Sequence, residues 1–176
     1  GLVWLDAPLD WMTPDEAALD VIPGLLKRLV DRHGIDLVHL NLPSQACRLD
    51  VPCPVVAVSH SCVPSWFHAV RGSGLPRDWV WHKWRNRAGF ERADAIVVPS
   101  RSHGEMLEAC YGPVPIIRLF VVPNATARDR GFGEKEDFVF AAARWWDEGK
   151  NGRLLDEDVR HGLQRLVAQI LQIAHG

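Results

Sequence analysis

The sequence has no apolar run approaching the ~20 residues needed to cross a bilayer as a helix, and its first residues, 1–11, lack the basic start and long apolar core of a secretory signal. It has four cysteines, Cys47, Cys53, Cys62 and Cys110, with no CxxC pair. Their spacing fits neither a disulfide framework nor a zinc motif, so free thiols in a reducing compartment are expected. The net charge of −2 is too small to draw the whole chain to nucleic acid or to an anionic membrane. GxSxG, GxGxxG, P-loop and HExxH motifs are all missing, which removes the simplest hydrolase, dinucleotide, nucleotide and zinc-protease readings. These absences point to a soluble, cytoplasmic chain.

What is present is a good core: 176 residues, 47% of them hydrophobic. Short apolar runs alternate with amphipathic stretches. Strands are expected at residues 2–5, 36–41 (DLVHLN), 54–59 (PVVAVS), 95–98, 117–122 and 138–142. A helix is expected after Thr13-Pro14-Asp15-Glu16, with Thr13 as its N-cap and Glu16 closing a capping box. Its apolar face would hold Ile22, Leu25, Leu26, Leu29 and Val30, and His33-Gly34 would end it. Further helices are expected near residues 76–92, 100–111 and 154–174. The strands read as continuous apolar runs, which predicts an α/β fold: a Rossmann-like parallel sheet with helices on both faces. The expected organisation is an α/β domain over 1–125, a linker and a further strand over 126–153, and a helix over 154–176.

In open parallel sheets, ligands bind beyond the carboxyl ends of the strands. That rule singles out Asn41, Ser59-His60-Ser61, Ser100, Asn124 and Arg144. His60 would project into the crevice, where its ring can donate a hydrogen bond to a hydroxyl or steady a developing charge. The other reading is a histidine satisfied at a strand end. His39, inside its strand, reads as a core histidine. Arg144 and Lys150 flank a turn in FVFAAARWWDEGKN and are suited to a diphosphate; the other reading is two solvated cations beside a tryptophan pair. An aromatic and basic band runs from Trp66 through His68, Arg71, Arg77, Trp79, Trp81, Lys83, Trp84, Arg85 and Arg87. Trp84 reads as core, whereas Trp66, in the loop after His60, could stack on a sugar or base.

In order, these segments resemble family-4 glycosyltransferases of the GT-B fold. DLVHLNLPSQA, PVVAVSHSCVPSW, ERADAIVVPSRSHGEML, FVVPNATARD (with Ala125 where a glycine is usual) and FAAARWWDEGKN each match a strand-end segment of the family. The resemblance spans roughly residues 1–155 and implies one half of a GT-B fold, the acceptor-side domain. It implies that His60 is the acceptor-side histidine near the transferred sugar. Arg144 and Lys150 would bind the diphosphate of a nucleotide-sugar donor, with no metal. Asn41, Ser61, Trp66, Ser100 and Asn124 would line the acceptor cleft. The implied reaction is transfer of a hexose, with retention, to a hydroxyl of a sugar or lipid acceptor; the implied partners include no nucleic acid. Two departures stand out: the glycine-rich loop of the first family strand is missing, and there is no Glu-x7-Glu pair. The missing Glu pair implies a truncated donor domain, and with it an alternative: a non-catalytic remnant that binds an acceptor or a protein, as a homodimer or with a complementing donor-domain partner.

Overall fold

The computed structural model describes residues 1–113, 118–125 and 141–160. The chain forms two compact units, Gly1–Ala127 and Arg128–Gly176.

The first unit is built on four short parallel strands in the order β1 (Val38–Leu40), β2 (Val55–Val58), β3 (Ala95–Val98) and β4 (Leu119–Val121). It is a Rossmann-like α/β fold. The register pairs Val38 with Val55, Ala57 with Ile96 and Val98 with Val121. Neighbours in register share a face of the sheet. One face therefore carries Val38, Leu40, Val55, Ala57, Ile96 and Val98, all buried. The opposite face, with His39, Val56, Val97 and Phe120, is only partly covered among the described residues. His39 is exposed on edge strand β1, not in the core, because strand alternation turns it away from Val38 and Leu40.

Helix α1 (Val21–His33) is amphipathic and stops at Gly34, whose φ of 58° places it in the left-handed region that glycine adopts without strain. Its entry differs from the expected capping box. Asp15, rather than Thr13, caps a 3-10 turn over Glu16–Leu19 by accepting from the Ala17 N–H at 2.9 Å. Thr13 Oγ1 instead accepts from the Asp15 N–H. Residues 2–5 form no strand and are exposed; apolar content without a neighbour to pair with does not make one. The expected strand over 138–142 falls mostly outside the described residues, as do residues 161–176 of the expected last helix.

Between β2 and β3 run the short α2 (Val63–Trp66), a π-helical turn (Phe67–Arg71) and α3 (Trp81–Arg92). Helix α4 (Arg101–Tyr111) follows β3, with Ser100 as its N-cap accepting from the His103 N–H. All four cysteines are free. In the second unit, α5 (Gly152–Arg160) starts beside the Trp145 ring.

Helix α3 lies hard against a 3-10 turn after β1, Pro43–Ala46. At Gly89 a Cβ would sit 1.9 Å from the Pro43 carbonyl oxygen and 2.7 Å from its carbon. Backbone cannot move aside as a side chain can. Gly89→Ala is therefore expected to destabilise the first unit by about 3 kcal/mol, despite the ~1 kcal/mol helix propensity that alanine gains. Urea unfolding checks this; an unchanged midpoint would show that the helix does not approach the turn so closely.

Candidate functional site

The first unit gathers its polar groups at the carboxyl ends of β1, β2 and β3. Ser59 and His60 follow β2 directly. Adjacent residues of an extended chain point opposite ways, so Ser59 is buried while His60 is exposed. The Ser59 Oγ lies 3.0 Å from Nε2 of His103, a buried residue in the first turn of α4. Burial holds His103 below its ordinary pKa, and the neighbouring His60 ring adds to the effect.

The same unit holds further buried polar contacts. Asp10 is buried and accepts a 2.6 Å hydrogen bond from the Ser44 hydroxyl. Burial pushes its carboxyl up despite that bond and the Arg85 charge. Cys62 packs against the Tyr111 hydroxyl at 2.8 Å, and the Ser65 hydroxyl bonds back to the Cys62 carbonyl at 2.9 Å. Burial also raises the Cys62 thiol.

Arg85 of α3 is wholly buried. Its guanidinium donates to Asp20 at 2.9 Å, to Glu16 at 3.2 Å and to the Leu19 carbonyl at 3.0 Å. The hydrogen bond from Arg85 is the main reason the Asp20 carboxyl sits below its ordinary value. His82, about one turn earlier, and Asn86, the next residue, are also buried. Neither ring nitrogen of His82 and neither amide atom of Asn86 meets a hydrogen-bond partner among the described residues. The His82 ring is stacked between Trp81 and Trp79, with centroids 3.6 and 5.1 Å away.

The expected site residues fall as follows. His60, Ser61, Asn41 and Asn124 are exposed at strand ends, and Ser100 is half-buried as the α4 cap. Trp66 ends α2; its ring meets Phe67 edge-on at 5.3 Å and lies under the Arg71 guanidinium at 5.5 Å, so one face is taken. Arg144 and Lys150 belong to the second unit, at either end of a turn whose Glu148–Lys150 segment is 3-10. Arg144 pairs with Asp147 at 3.0 Å and lies over the Trp146 ring at 5.4 Å. Trp84 is 42% exposed, not core, because the face of α3 opposite the Pro43 turn carries it outward. His103 and Asp10 escaped the sequence reading, whereas Ser44 lies in the Asn41–Ser44 segment that follows β1 and is singled out by the strand-end rule. His103 had one signal, its place in the first turn of a helix capped by a strand-end serine.

His60, Ser61, Asn41, Ser100, Trp66 and Asn124 fall within the segment matched by a family model, and Arg144 and Lys150 lie beyond it. Residues 10–130, more than half the chain, match the model for Glycosyltransferase Family 4. The chain belongs to that family, carries its N-terminal domain, and has a glycosyltransferase-like function. Neither the curated proteins nor the solved structures contain a significant match. No helix among the described residues is long and apolar enough to cross a membrane.

His82 makes folding pH-dependent. Burial lowers its pKa from 6.5 to about 4. Above pH 6.5 the folded and unfolded chains are both neutral here and nothing is lost. Between 6.5 and 4 the unfolded chain binds a proton that the folded one refuses, so stability falls as pH falls. The loss by pH 4 is about 3 kcal/mol. His103 acts in the same direction. His82→Phe, which keeps a ring between the two tryptophans, should flatten this dependence in urea midpoints taken from pH 7 to pH 4.5. An equal slope in wild type and variant would show that His82 is not the group responsible.

Proposed function

We propose that the chain is the acceptor-side part of a retaining, nucleotide-sugar-dependent glycosyltransferase that transfers a hexose to an acceptor hydroxyl. The observation that carries this is the exposed His60 at the carboxyl end of β2, beside the neutral His103–Ser59 pair, in a family-4 domain. An exposed imidazole at this end of a parallel sheet can hydrogen-bond a hydroxyl of the transferred sugar. Arg144 and Lys150 would take the donor diphosphate in place of a metal ion, as charge-assisted hydrogen bonds allow. Asn41, Ser61, Ser100 and Asn124 would line the acceptor side.

One observation favours a second reading, in which the chain binds an acceptor but does not catalyse. Arg144 is already held by Asp147 and Trp146. A diphosphate would have to displace that carboxylate.

Calorimetric titration with UDP- and GDP-sugars separates the two. In the enzyme reading, at least one donor binds, and Arg144→Ala weakens it about tenfold or more, the loss of one charge-assisted contact of ~1.5 kcal/mol. His60→Ala would leave donor affinity nearly intact while abolishing transfer. A chain that binds no nucleotide-sugar is the acceptor-binding remnant.

A further inference from the structure

His60 and Ser61 are exposed between two buried neighbours, Ser59 and Cys62. Each neighbour is bonded to the same helix. The Ser59 Oγ lies 3.0 Å from Nε2 of His103, and the Cys62 Sγ lies 2.8 Å from the Tyr111 hydroxyl. His103 stands in the first turn of α4, and Tyr111 is its last residue. His103, Leu107 and Tyr111 recur at every fourth position and are all buried. Residues so spaced share one face of a helix. Its two polar ends are about 12 Å apart along the axis. The chain from Ser59 to Cys62 spans at most about 11 Å. The two lengths match, so one face of α4 reaches both ends of the segment.

At the Cys62 end the protons run one way. The Ser65 hydroxyl donates to the Cys62 carbonyl at 2.9 Å and accepts from the Cys62 N–H at 3.0 Å. The Cys62 thiol donates to the same Ser65 oxygen at 3.2 Å. That leaves the Cys62 sulfur as acceptor and the Tyr111 hydroxyl as donor. Burial pushes the Tyr111 hydroxyl up, so its proton stays in place. Tyr111 is itself fixed by α3: its ring meets Phe90 edge-on at 5.3 Å, and Arg87 donates to its carbonyl. The core needs only that ring. The hydroxyl, which burial penalises unless it is bonded, goes to Cys62. At the other end, the Ser59 N–H donates to the Val97 carbonyl at 2.9 Å. That bond fixes the backbone and leaves the side chain to His103.

We infer that His103 and Tyr111 are positioning residues: they hold the His60–Ser61 segment from both sides and set where the exposed imidazole stands. Neither touches a sugar; both act through Ser59 and Cys62. The step from a held segment to catalysis rests on the reading of His60 as a contact of the transferred sugar. A two-residue segment fixed at both ends has little freedom left to lose when a ligand binds. Misplacing a group of this kind by about 1 Å can cost on the order of a hundredfold in rate. Strand β2 brings His60 to the sheet's carboxyl end, but the side-chain bonds that fix it come from α4.

The test is backbone amide relaxation of the full chain, measured by NMR. The His60 and Ser61 amides should have order parameters of about 0.85, as rigid backbone does. In a His103→Leu, Tyr111→Phe double variant they should fall below about 0.6, while Val56, Ala57, Ile96 and Val97 in the strands stay rigid. Tyr111→Phe alone keeps the ring against Phe90 and should loosen Ser61 with the fold intact. His103→Gln, whose amide can still meet the Ser59 hydroxyl, should stay near wild type. In sugar transfer, the double variant should lose kcat at least about tenfold at unchanged donor affinity, and His103→Gln should keep it. The inference is overturned if the two amides stay rigid in the Leu and Phe variants. It is also overturned if β2 and β3 loosen as much as the segment does, or if kcat survives a loosened segment. A wild-type chain that transfers no sugar defeats the proposed function alone; the order parameters still decide whether α4 holds the segment.

Discussion

The contact that organises the first unit is the approach of α3 to the Pro43 carbonyl across Gly89. With no side chain at that point, the helix lies flat on the turn after β1. Everything on the same stripe is then drawn inward whatever its polarity. Arg85 is carried to Glu16 and Asp20, and so ties the β2–β3 crossover to the turn that leads into α1. Removing two acids from Arg85 would strand a buried charge, which costs more than the pair itself contributes. The ion cluster is therefore a consequence of the close approach: it fixes which way α3 faces. Phe90, on the next side of the helix, joins Ala57, Ile96, Val98 and Leu107 in the core beneath β2 and β3.

That placement sets the strand ends. Because β2 and β3 are parallel and in register, Ser59 comes level with the start of α4, and its backbone N–H reaches the Val97 carbonyl. Ser100 caps α4 and fixes the first turn, so the His103 ring is aimed at Ser59. His60 inherits its direction from Ser59: if one side chain is pinned inward, its neighbour must point out. The exposed imidazole is thus held by three ordinary features, a parallel register, a serine cap and strand alternation. Arg144 is held differently. Its partners lie within three residues, so its geometry is local to its own unit and owes nothing to the sheet.

Much of this could be read from the sequence because the physical cause was local. VVAV and AIVV are short apolar runs between polar turns, and both are strands. Gly34 ends α1 because only a left-handed residue closes that turn easily. His60 was found by its place after a buried strand. The misses had nonlocal causes. LVWL near the start has strand composition, but it finds no partner strand. His39 sits in an apolar run, but only the sheet edge and the register show that its face is open. Trp84 was assigned to the core because tryptophan usually belongs there, whereas the orientation of α3 is set by Gly89 and Pro43, more than forty residues apart in the chain. No pattern along α3 announces that contact. His103 was legible only in part: its helix and cap could be predicted, but its partner Ser59 lies on another strand.

The inner stripe of α3 mixes core residues, Gly89 and Phe90, with polar ones, His82, Arg85 and Asn86. Burying His82 and Asn86 without hydrogen-bond partners in the described protein costs stability, and apolar residues of similar shape would remove that cost. Exposing Trp84 and Val80 brings no compensating gain in water. Both choices depart from what folding alone favours, and they lie on opposite faces of the same helix. Departures of this kind concentrate where a sequence serves something besides its fold. The inner face adjoins the strand ends on which the family relationship rests. The outer face carries the exposed Lys83 and Trp84. Helix α3 thus joins two surfaces through one element, and whatever meets its outer face bears on the same helix that holds Arg85 against Glu16 and Asp20.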